Sequence, residues 1–458
     1  MYVTLLFDVE DLVDPRSDDT TLALARIFAE EGAPGTMMVV GEKARLWERR
    51  GRRDLIEAMA AHDVGLHTNM HSVHPTVAEY LEDKGWDDGI EEAIRREQPG
   101  VESHKRIFGQ APSCWGRGGS TWGPQVAAAL PKLGIPAMVY PFTHLADPSL
   151  TVHYFCNTPC YYWHFGGFDA TFADDAAFAP VLEQVQQHVD DSRRQGVAWS
   201  SVFVCHPAMV RAKRFWDDLN YNHGVNTPPE RWVMPEYRSE AEWETAKGNL
   251  RRFARALANM PGIQLRTVRQ MNALLLPAPQ AVSPAELQAA ARAAVARGDI
   301  NGDEWPLSPA ERLYLWAKWL ASGRGSGPIP WRYVEGPVEE PSSGSVAGPV
   351  AVEAVLQAAR ELSNAVEAGG RLPGRLSLGQ AEVGTGTLYR ALAAACAQDL
   401  GQAVTVAPGP QVPAIGDVLR EEVARFVPGW MHKPDLDASR LAAYTRLQSW
   451  TLKPARLA

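Results

Sequence analysis

The chain has 458 residues and a formal net charge of −9, with 45% hydrophobic and 22% charged residues. That length exceeds one ordinary core and predicts two to three domains, each able to bury a core of its own. An acidic balance without a basic run excludes a nucleic-acid binder, and no apolar run reaches the roughly 18 residues of a membrane span.

The chain begins MYVTLLFDVED, a strand-like run without the charged start, apolar stretch and small-residue cleavage site of a secretory signal, which predicts a cytoplasmic protein. From 1 to about 275, short apolar runs alternate with amphipathic ones: VTLLFD then TTLALARIFAEE, TMMVVG then RRDLIEAMAAH, VGLH, and later PAMVY, SVFVCH and IQLRTV followed by RQMNALL. Strands alternating with helix-length segments predict a mostly parallel sheet, open or closed into a barrel. Five cysteines, an odd number without a CxxC pair, argue against a disulfide framework or a thiolate zinc site.

In chain order, the first group that could carry chemistry is FDVED at 7–11, which ends the first strand with Asp8, Glu10 and Asp11. Crowded carboxylates at the end of a buried strand repel each other and lose solvation, costs that a cation relieves. Strand alternation places Asp8 and Glu10 on one face, while Asp11 stays open as an alternative ligand. Next, HTNMHSVHP at 67–75 gathers three of the twelve histidines. His67 and His71 stand at i, i+4, so a helical turn after VGL would bring both imidazoles to one side. With one carboxylate they would form a divalent site that keeps a position open for water. In VFVCHP, His206 also closes an apolar strand and is predicted to reach the same carboxyl-end face. The blander alternatives are loop histidines bonded to backbone and a solvated acidic loop.

The Gly-rich stretch SCWGRGGSTWGP at 113–124 carries Trp115 and Arg117. Aromatic and polar residues cluster in CYYWHFGGFDATF at 160–172 and FWDDLNYNHGVNTPPERW at 215–232, a composition suited to stacking on sugar rings and bonding hydroxyls. Trp115, Trp163, His164, Asp169, Trp216 and His223 are the candidate substrate-binding residues.

After about 275 the pattern becomes Ala-, Arg- and Leu-rich and helical. We divide it into a helical repeat at 276–322, a Gly/Pro/Ser-rich linker or tether at 323–349, and further helical repeats at 350–458, a binding or bracing domain. LQAAARAAVARGDIN (287–301) resembles LQAARELSNAVEAGGRLP (356–373), and a second helix with Leu313-Tyr314 or Leu388-Tyr389 follows each. A looser third copy runs from Val418 to Tyr444. Such helical pairs cannot bury their apolar faces singly. In ARGDINGDEW, Asp299, Asn301 and Asp303 echo a calcium loop, but Glu304 stands where glycine is required, which rejects it.

FDVED, HTNMH and VFVCHP, in that order, resemble the polysaccharide deacetylase family, the NodB-type carbohydrate esterases, over roughly 1–275. FDVED is similar to a variant DVED branch of that family. The resemblance implies an α/β fold, a distorted (β/α), TIM-like barrel of the polysaccharide deacetylase type, here followed by a mainly α-helical C-terminal region. It implies a divalent ion, Zn²⁺ with Co, Ni or Fe as alternatives, on His67, His71 and either Glu10 or Asp11. It further implies Asp8 as general base and His206 as proton donor to the departing nitrogen. The family's arginine motif resembles SCWGRGGSTWGP with Trp115 at the arginine's place and Arg117 at the proline's, so either Arg117 serves from a shifted position or the base lacks its usual partner. The implied reaction is metal-dependent removal of an acetyl group from an N-acetylated sugar or polysaccharide by attack of water acidified on the ion.

Two alternatives stand beside it: hydrolysis of a non-sugar C–N amide such as a ureide, and a non-catalytic carbohydrate-binding protein on a degenerate barrel. The expected partner is a carbohydrate or small N-acylated molecule, with no nucleic acid and no membrane, and a homo-oligomer is left open. The C-terminal copies are faintly similar to pseudomurein-binding repeats.

Overall fold

Strand β1 (Tyr2–Val9) is buried along its whole length after Tyr2, as a strand covered on both faces must be. It is followed by β2 (Thr36–Val39), β3 (Asp63–Leu66), β4 (Trp115–Gly116), β5 (Met138–Val139), β6 (Val152–Phe155), β7 (Thr158–Tyr161), β8 (Phe165–Gly166), β9 (Trp199–Cys205) and β10 (Gln264–Leu265). The computed structural model describes residues 1–139, 152–300 and 306–458; Tyr140 of PAMVY and Asn301, Asp303 and Glu304 of the calcium-loop echo lie outside them.

The chain forms two units. The first comprises Met1–Val152, Thr158–Leu275 and Arg425–Ala438; the second comprises His153–Asn157, Leu276–Ala424 and Ser439–Ala458. Arg425–Ala438 thus clusters with the first unit although it follows residue 275 in the chain.

In the first unit the sheet order is β7-β5-β4-β3-β2-β1-β9-β8, every neighbouring pair parallel, with β10 parallel to the start of β1. No pairing joins β7 to β8 among the described residues, so the sheet is a curled, open, distorted (β/α) barrel. Phe7 and Val9 of β1 belong to the cluster between the sheet and its helices, and Phe7 meets Phe28 edge-on at 5.0 Å. Phe28 lies on the helix Arg16–Glu30, and Phe253, 6.4 Å from it, on the helix Glu240–Ala258. The latter helix starts in a capping box between Ser239 and Glu242 and buries Trp243, Ala246, Leu250, Phe253 and Leu257, an i, i+3/i+4 stripe. Truncating Phe253 to alanine there would cost about 3–5 kcal/mol. Because Phe7 and Val9 face these helices, alternation turns Asp8 to the interior.

The second unit repeats one plan. Strand β11 (Ala281–Val282), helices Pro284–Arg297 and Pro309–Ala321, and β12 (Ile329–Pro330) form one pair of helices closed by antiparallel strands. Strand β13 (Gly348–Ala351), helix Val352–Gly369, the hairpin β14 (Arg375–Leu378) and β15 (Ala381–Gly384), helix Thr385–Ala397 and β16 (Ala403–Val406) form another, with β13 antiparallel to β16. The first helix of each pair packs on the second helix of the other. Both helices of the first pair start in Ser-Pro capping boxes, Ser283 with Glu286 and Ser308 with Glu311. Trp316 and Tyr389 meet at 5.0 Å in the shared core, with Trp450 5.8 Å beyond Tyr389.

The segment 323–349 does not hang free as a tether. Val334 is buried, and Gly336 and Gln448 exchange hydrogen bonds, so a side-chain amide satisfies backbone groups that Gly- and Pro-rich chain leaves without a ladder. The looser third copy departs from the plan: the residues between its helices Ala414–Phe426 and Ser439–Gln448 join the first unit. Strand β17 (Lys453–Pro454) ends the chain against Tyr154 and His153. Among the described residues no helix is long and apolar enough to cross a membrane.

Candidate metal and catalytic site

Asp8 near the end of β1 and Glu10 just beyond it are both buried polar groups. Asp11 turns away from them. Its Oδ1 accepts the N–H groups of Val13 (2.9 Å) and Asp14 (3.0 Å), closing the turn that leaves the strand, and its carbonyl accepts from Lys43 Nζ. Burial lifts the Asp11 carboxyl to about 6 against the field of Lys43. Of the two open ligand candidates, the structure places Glu10 with the histidines and gives Asp11 to the loop.

His67 follows β3 directly, and the expected helical turn after it is not formed. Thr68 (φ 57°) and His71 (φ 52°) instead take the left-handed region, unusual for residues that carry a side chain. The turn is held by named bonds: His71 N–H to Thr68 Oγ1 (2.7 Å), Asn69 N–H to Glu97 Oε2 (2.9 Å), and the Thr68 and Asn69 carbonyls to the N–H groups of Gly41 and Glu42. The imidazoles are brought together at 5.0 Å all the same.

Glu10, His67 and His71 each direct one ligand atom into a common space, all within 4.8 Å of one another. His71 Nε2 lies 3.0 Å and His67 Nε2 3.5 Å from Glu10 Oε2, yet both ring nitrogens of His67 and Nε2 of His71 are buried without a hydrogen-bond partner among the described residues. Burial alone would raise the Glu10 carboxyl, but the fields of His71 and His206 hold it well below the usual carboxylate range. An ionised carboxylate beside unbonded imidazole nitrogens is costly for protein alone and is the donor set of a divalent ion of the zinc class. These residues fit such an ion.

Two further groups flank the three. Asp8 Oδ2 lies 3.7 Å from His67 Nε2 and 3.8 Å from His206 Nε2, and its Oδ1 has no hydrogen-bond partner among the described residues. Burial raises the Asp8 carboxyl, against the opposing pull of His67 and His206. His206, immediately after β9, turns its Nδ1 to Asp169 Oδ2 (3.1 Å), and its own N–H donates to Asp169 Oδ1 (2.7 Å). Burial opposes a charged ring there, but Glu10 and Asp169 outweigh it and push His206 up to about 10. Asp169, expected as a substrate contact, is thus the partner that orients His206.

The other expected contacts divide. Trp115 is fully buried and donates Nε1–H to Glu97 Oε2 (2.8 Å), which removes it from substrate contact. Arg117 spreads over the Phe426 ring at 4.4 Å. Trp216 is buried 5.6 Å from His71 and backs that ring. His164 Nδ1 accepts from Ser201 N–H (3.2 Å), its ring packs on Trp199, and burial pushes it down to about 4, the signature of a structural histidine. Trp163 is 48% exposed beside Phe203. His223 takes a left-handed backbone and donates its N–H to the Trp430 carbonyl (2.7 Å).

Some participants were not singled out by sequence. Ser72 Oγ stands 2.7 Å from His71 Nδ1 and donates to Asp217 Oδ2 (2.5 Å), a buried relay that fixes the ring so that Nε2 faces Glu10. Gly116 and Gly118 back the histidines. A Cβ on Gly116 would stand 3.2 Å from His67 Nδ1, and one on Gly118 2.7 Å from His71 Cδ2. Asp217 sits beside the flagged Trp216, but its likeness to the neighbouring Asp218 gave no signal; the glycines were visible only as a Gly-rich loop.

No family model matches the sequence, and no curated protein matches it. Among solved structures, the chain is similar to a family 4 carbohydrate esterase from Streptomyces lividans in complex with acetate, at 15% identity over 57% of this chain and 90% of that one, TM-score 0.32. It is also similar to a proposed polysaccharide deacetylase from Mycobacterium smegmatis (12% identity, 59% and 89% covered, TM-score 0.38). A third likeness is to a polysaccharide deacetylase from Bacillus cereus (16%, 45% and 79%, TM-score 0.28).

Proposed function

We propose that the first unit is a metal-dependent hydrolase that removes the acetyl group from an N-acetylated sugar or polysaccharide. The observation that carries this reading is the convergence of one ligand atom each from Glu10, His67 and His71 within 4.8 Å, beside Asp8. Glu10, His67 and His71 would hold the ion, Zn²⁺ or alternatively Co, Ni or Fe. When bound, such an ion supplies Lewis acidity toward a carbonyl oxygen and acidity to water.

The chain's own groups account for the protons. Asp8, whose Oδ1 has no hydrogen-bond partner among the described residues, accepts a proton from the attacking water as the C–O bond forms. His206, charged and aligned by Asp169, gives its proton to the nitrogen as the C–N bond breaks, so acetate and a free amine leave. Each transfer contributes on the order of 10²–10⁴ in rate. The resemblance of FDVED, HTNMH and VFVCHP to the deacetylase motifs supports the acetamide as substrate. A non-catalytic carbohydrate-binding reading keeps one supporting observation: Arg117 lies over the Phe426 ring.

The deciding experiment measures acetate released from N-acetylglucosamine oligomers by protein loaded with Zn²⁺ or Co²⁺. Asp8→Asn is expected to keep the metal and lose turnover by 10²-fold or more. Loaded wild-type protein that releases no acetate overturns the sugar deacetylase, and absence of turnover on ureide-like amides as well leaves the binding protein.

A further inference from the structure

HTNMHSVHP carries a third histidine that neither the ligand set nor the proton transfers use. His74 has its side chain 8% exposed, and both of its ring nitrogens face acceptors: Nδ1 stands 2.7 Å from Glu79 Oε2, and Nε2 stands 2.7 Å from the Tyr221 carbonyl oxygen. A neutral imidazole has one N–H and would turn a lone pair toward one of these oxygens; only the imidazolium donates to both. Glu79, 5% exposed, is built to receive that charge. Its Oε2 accepts the Thr76 N–H (2.7 Å) and its Oε1 the Lys433 N–H (2.7 Å), bonds that favour carboxylate over acid. Burial opposes the carboxylate, but the bonds from His74, Thr76 and Lys433 hold Glu79 at about 2. Burial likewise opposes a charged His74, and the bonds to Glu79 and Tyr221 outweigh it, so the imidazole is raised above its ordinary 6.5. The neighbouring basic groups are engaged elsewhere. Lys433 Nζ pairs with Glu82 (2.8 Å), and His432, pushed down by burial to about 4, has its Nδ1 on Thr76 Oγ1 (2.9 Å).

The two segments that His74 joins are the two that hold the His71 ring. His71, Ser72 and His74 lie on one turn, whereas Asp217 lies on the short helix Trp216–Asn220. Tyr221 follows that helix and donates its N–H back to the Asp217 carbonyl (2.6 Å). Asn226 adds a second tie, its Oδ1 accepting the His74 N–H (2.9 Å) and its Nδ2 donating to the His74 carbonyl (2.9 Å). The 2.5 Å bond from Ser72 to Asp217 needs these segments in register, and the His74 ring sets that register from one turn of chain away.

We propose that His74 is a positioning residue: as an imidazolium between Glu79 and the Tyr221 carbonyl it fastens the Asp217 segment to the His71 turn, and through Asp217 and Ser72 it keeps His71 Nε2 turned toward Glu10. The proposal rests on the metal-site reading given above. His74 acts through His71 and touches neither ion nor substrate.

Two measurements on the full chain test it. In the metal-free protein, nitrogen NMR of the histidine rings, with His74→Gln identifying the signal, is expected to show both His74 nitrogens protonated at about pH 7.5, where an unperturbed histidine is about nine-tenths neutral. A neutral ring there overturns the proposal. Chelator competition then reads the affinity for Co²⁺. His74→Gln, which cannot carry the charge, is expected to weaken it about tenfold, the lower end for partners that orient a ligand, and Ser72→Ala about tenfold or more. The double substitution is expected to be no weaker than Ser72→Ala alone, because both act through one bond. Unchanged affinity in His74→Gln, or losses that multiply in the double variant as general loosening would make them, overturns the proposal. Should His74→Gln fail to fold, Glu79→Gln, which removes the anion and keeps an oxygen for the backbone N–H groups, takes its place in the same cycle. Wild-type protein that binds no Co²⁺ sinks the metal site and the role of His74 together, whereas metal bound without acetate released sinks the hydrolase alone.

Discussion

Gly118→Ala probes the site through a single methyl group. The added Cβ would stand 2.7 Å from His71 Cδ2 and 3.0 Å from its Nε2, where ordinary contact starts at 3.4 Å. The ring would have to retreat by roughly 0.7 Å, beyond the ~0.5 Å within which a ligand constellation must be held. It has little room to swing, because the His71 N–H is tied to Thr68 Oγ1 and its Nδ1 sits on the Ser72–Asp217 relay. We expect metal affinity to weaken by roughly 10–100-fold, the range seen when a ligand loses its orientation, and acetate release to fall with it. Crowding should cost about 1–3 kcal/mol of stability. Competition with a graded chelator, followed by optical titration of Co²⁺, reads the affinity directly. Gly248→Ala is the control: it lies on the helix Glu240–Ala258 with nothing within 4 Å of the added carbon, and should gain about 0.5–1 kcal/mol without touching metal affinity. A Gly118→Ala protein with wild-type affinity and turnover would show that His71 is not a ligand in this geometry.

Two further predictions use the same preparations. Glu10→Gln is expected to lose bound metal during dialysis while Asp11→Asn keeps it, since an asparagine oxygen can still accept from Val13 and Asp14; metal analysis showing the reverse would exchange their roles. Glu97 is raised by burial from 4.5 to about 7, against the bonds it accepts from Trp115 and Asn69. Folded protein therefore holds more protons than unfolded between those values, so this residue's contribution to stability is full below pH 4.5 and is lost as pH rises through 7. At about 1.4 kcal/mol per unit the loss is about 3 kcal/mol. Denaturant unfolding between pH 5 and 8 should show that decline in wild-type protein and a flatter profile in Glu97→Gln; equal slopes would refute it.

What the sequence discloses about this site follows from what is local in it. A run such as VTLLFDVE fixes by period-two alternation that Asp8 faces opposite to Phe7 and Val9, and a parallel sheet brings the ends of β1, β3 and β9 to one rim. The convergence of FDVED, HTNMH and VFVCHP is therefore legible in the pattern of residues itself. Between Glu10 and Asp11 the sequence leaves the ligand open, and what it does not disclose is the turn, whose N–H groups at Val13 and Asp14 need an acceptor and take the Asp11 carboxylate. His67 and His71 meet as their spacing suggests, but through two left-handed residues that neither threonine nor histidine prefers. Tertiary bonds from Glu97 and the helix starting at Gly41 impose that turn, and no local pattern encodes it.

Trp115 shows the limit most plainly. Its apolar ring is built for burial, and its single N–H then requires a buried acceptor. The sequence around it contains no such acceptor, because Glu97 is supplied from the helix Trp86–Phe108, where neighbouring acids are solvent-facing and look the same. Once Trp115 is committed to Glu97, the same carboxylate also holds Asn69 and with it the turn between the two histidines. Trp115, which stands where the resemblance would put an arginine, thus has the task of bracing the turn between the two histidines from behind. If that is its task, Trp115→Phe, which keeps the ring and deletes the N–H, should loosen metal binding more than it lowers stability.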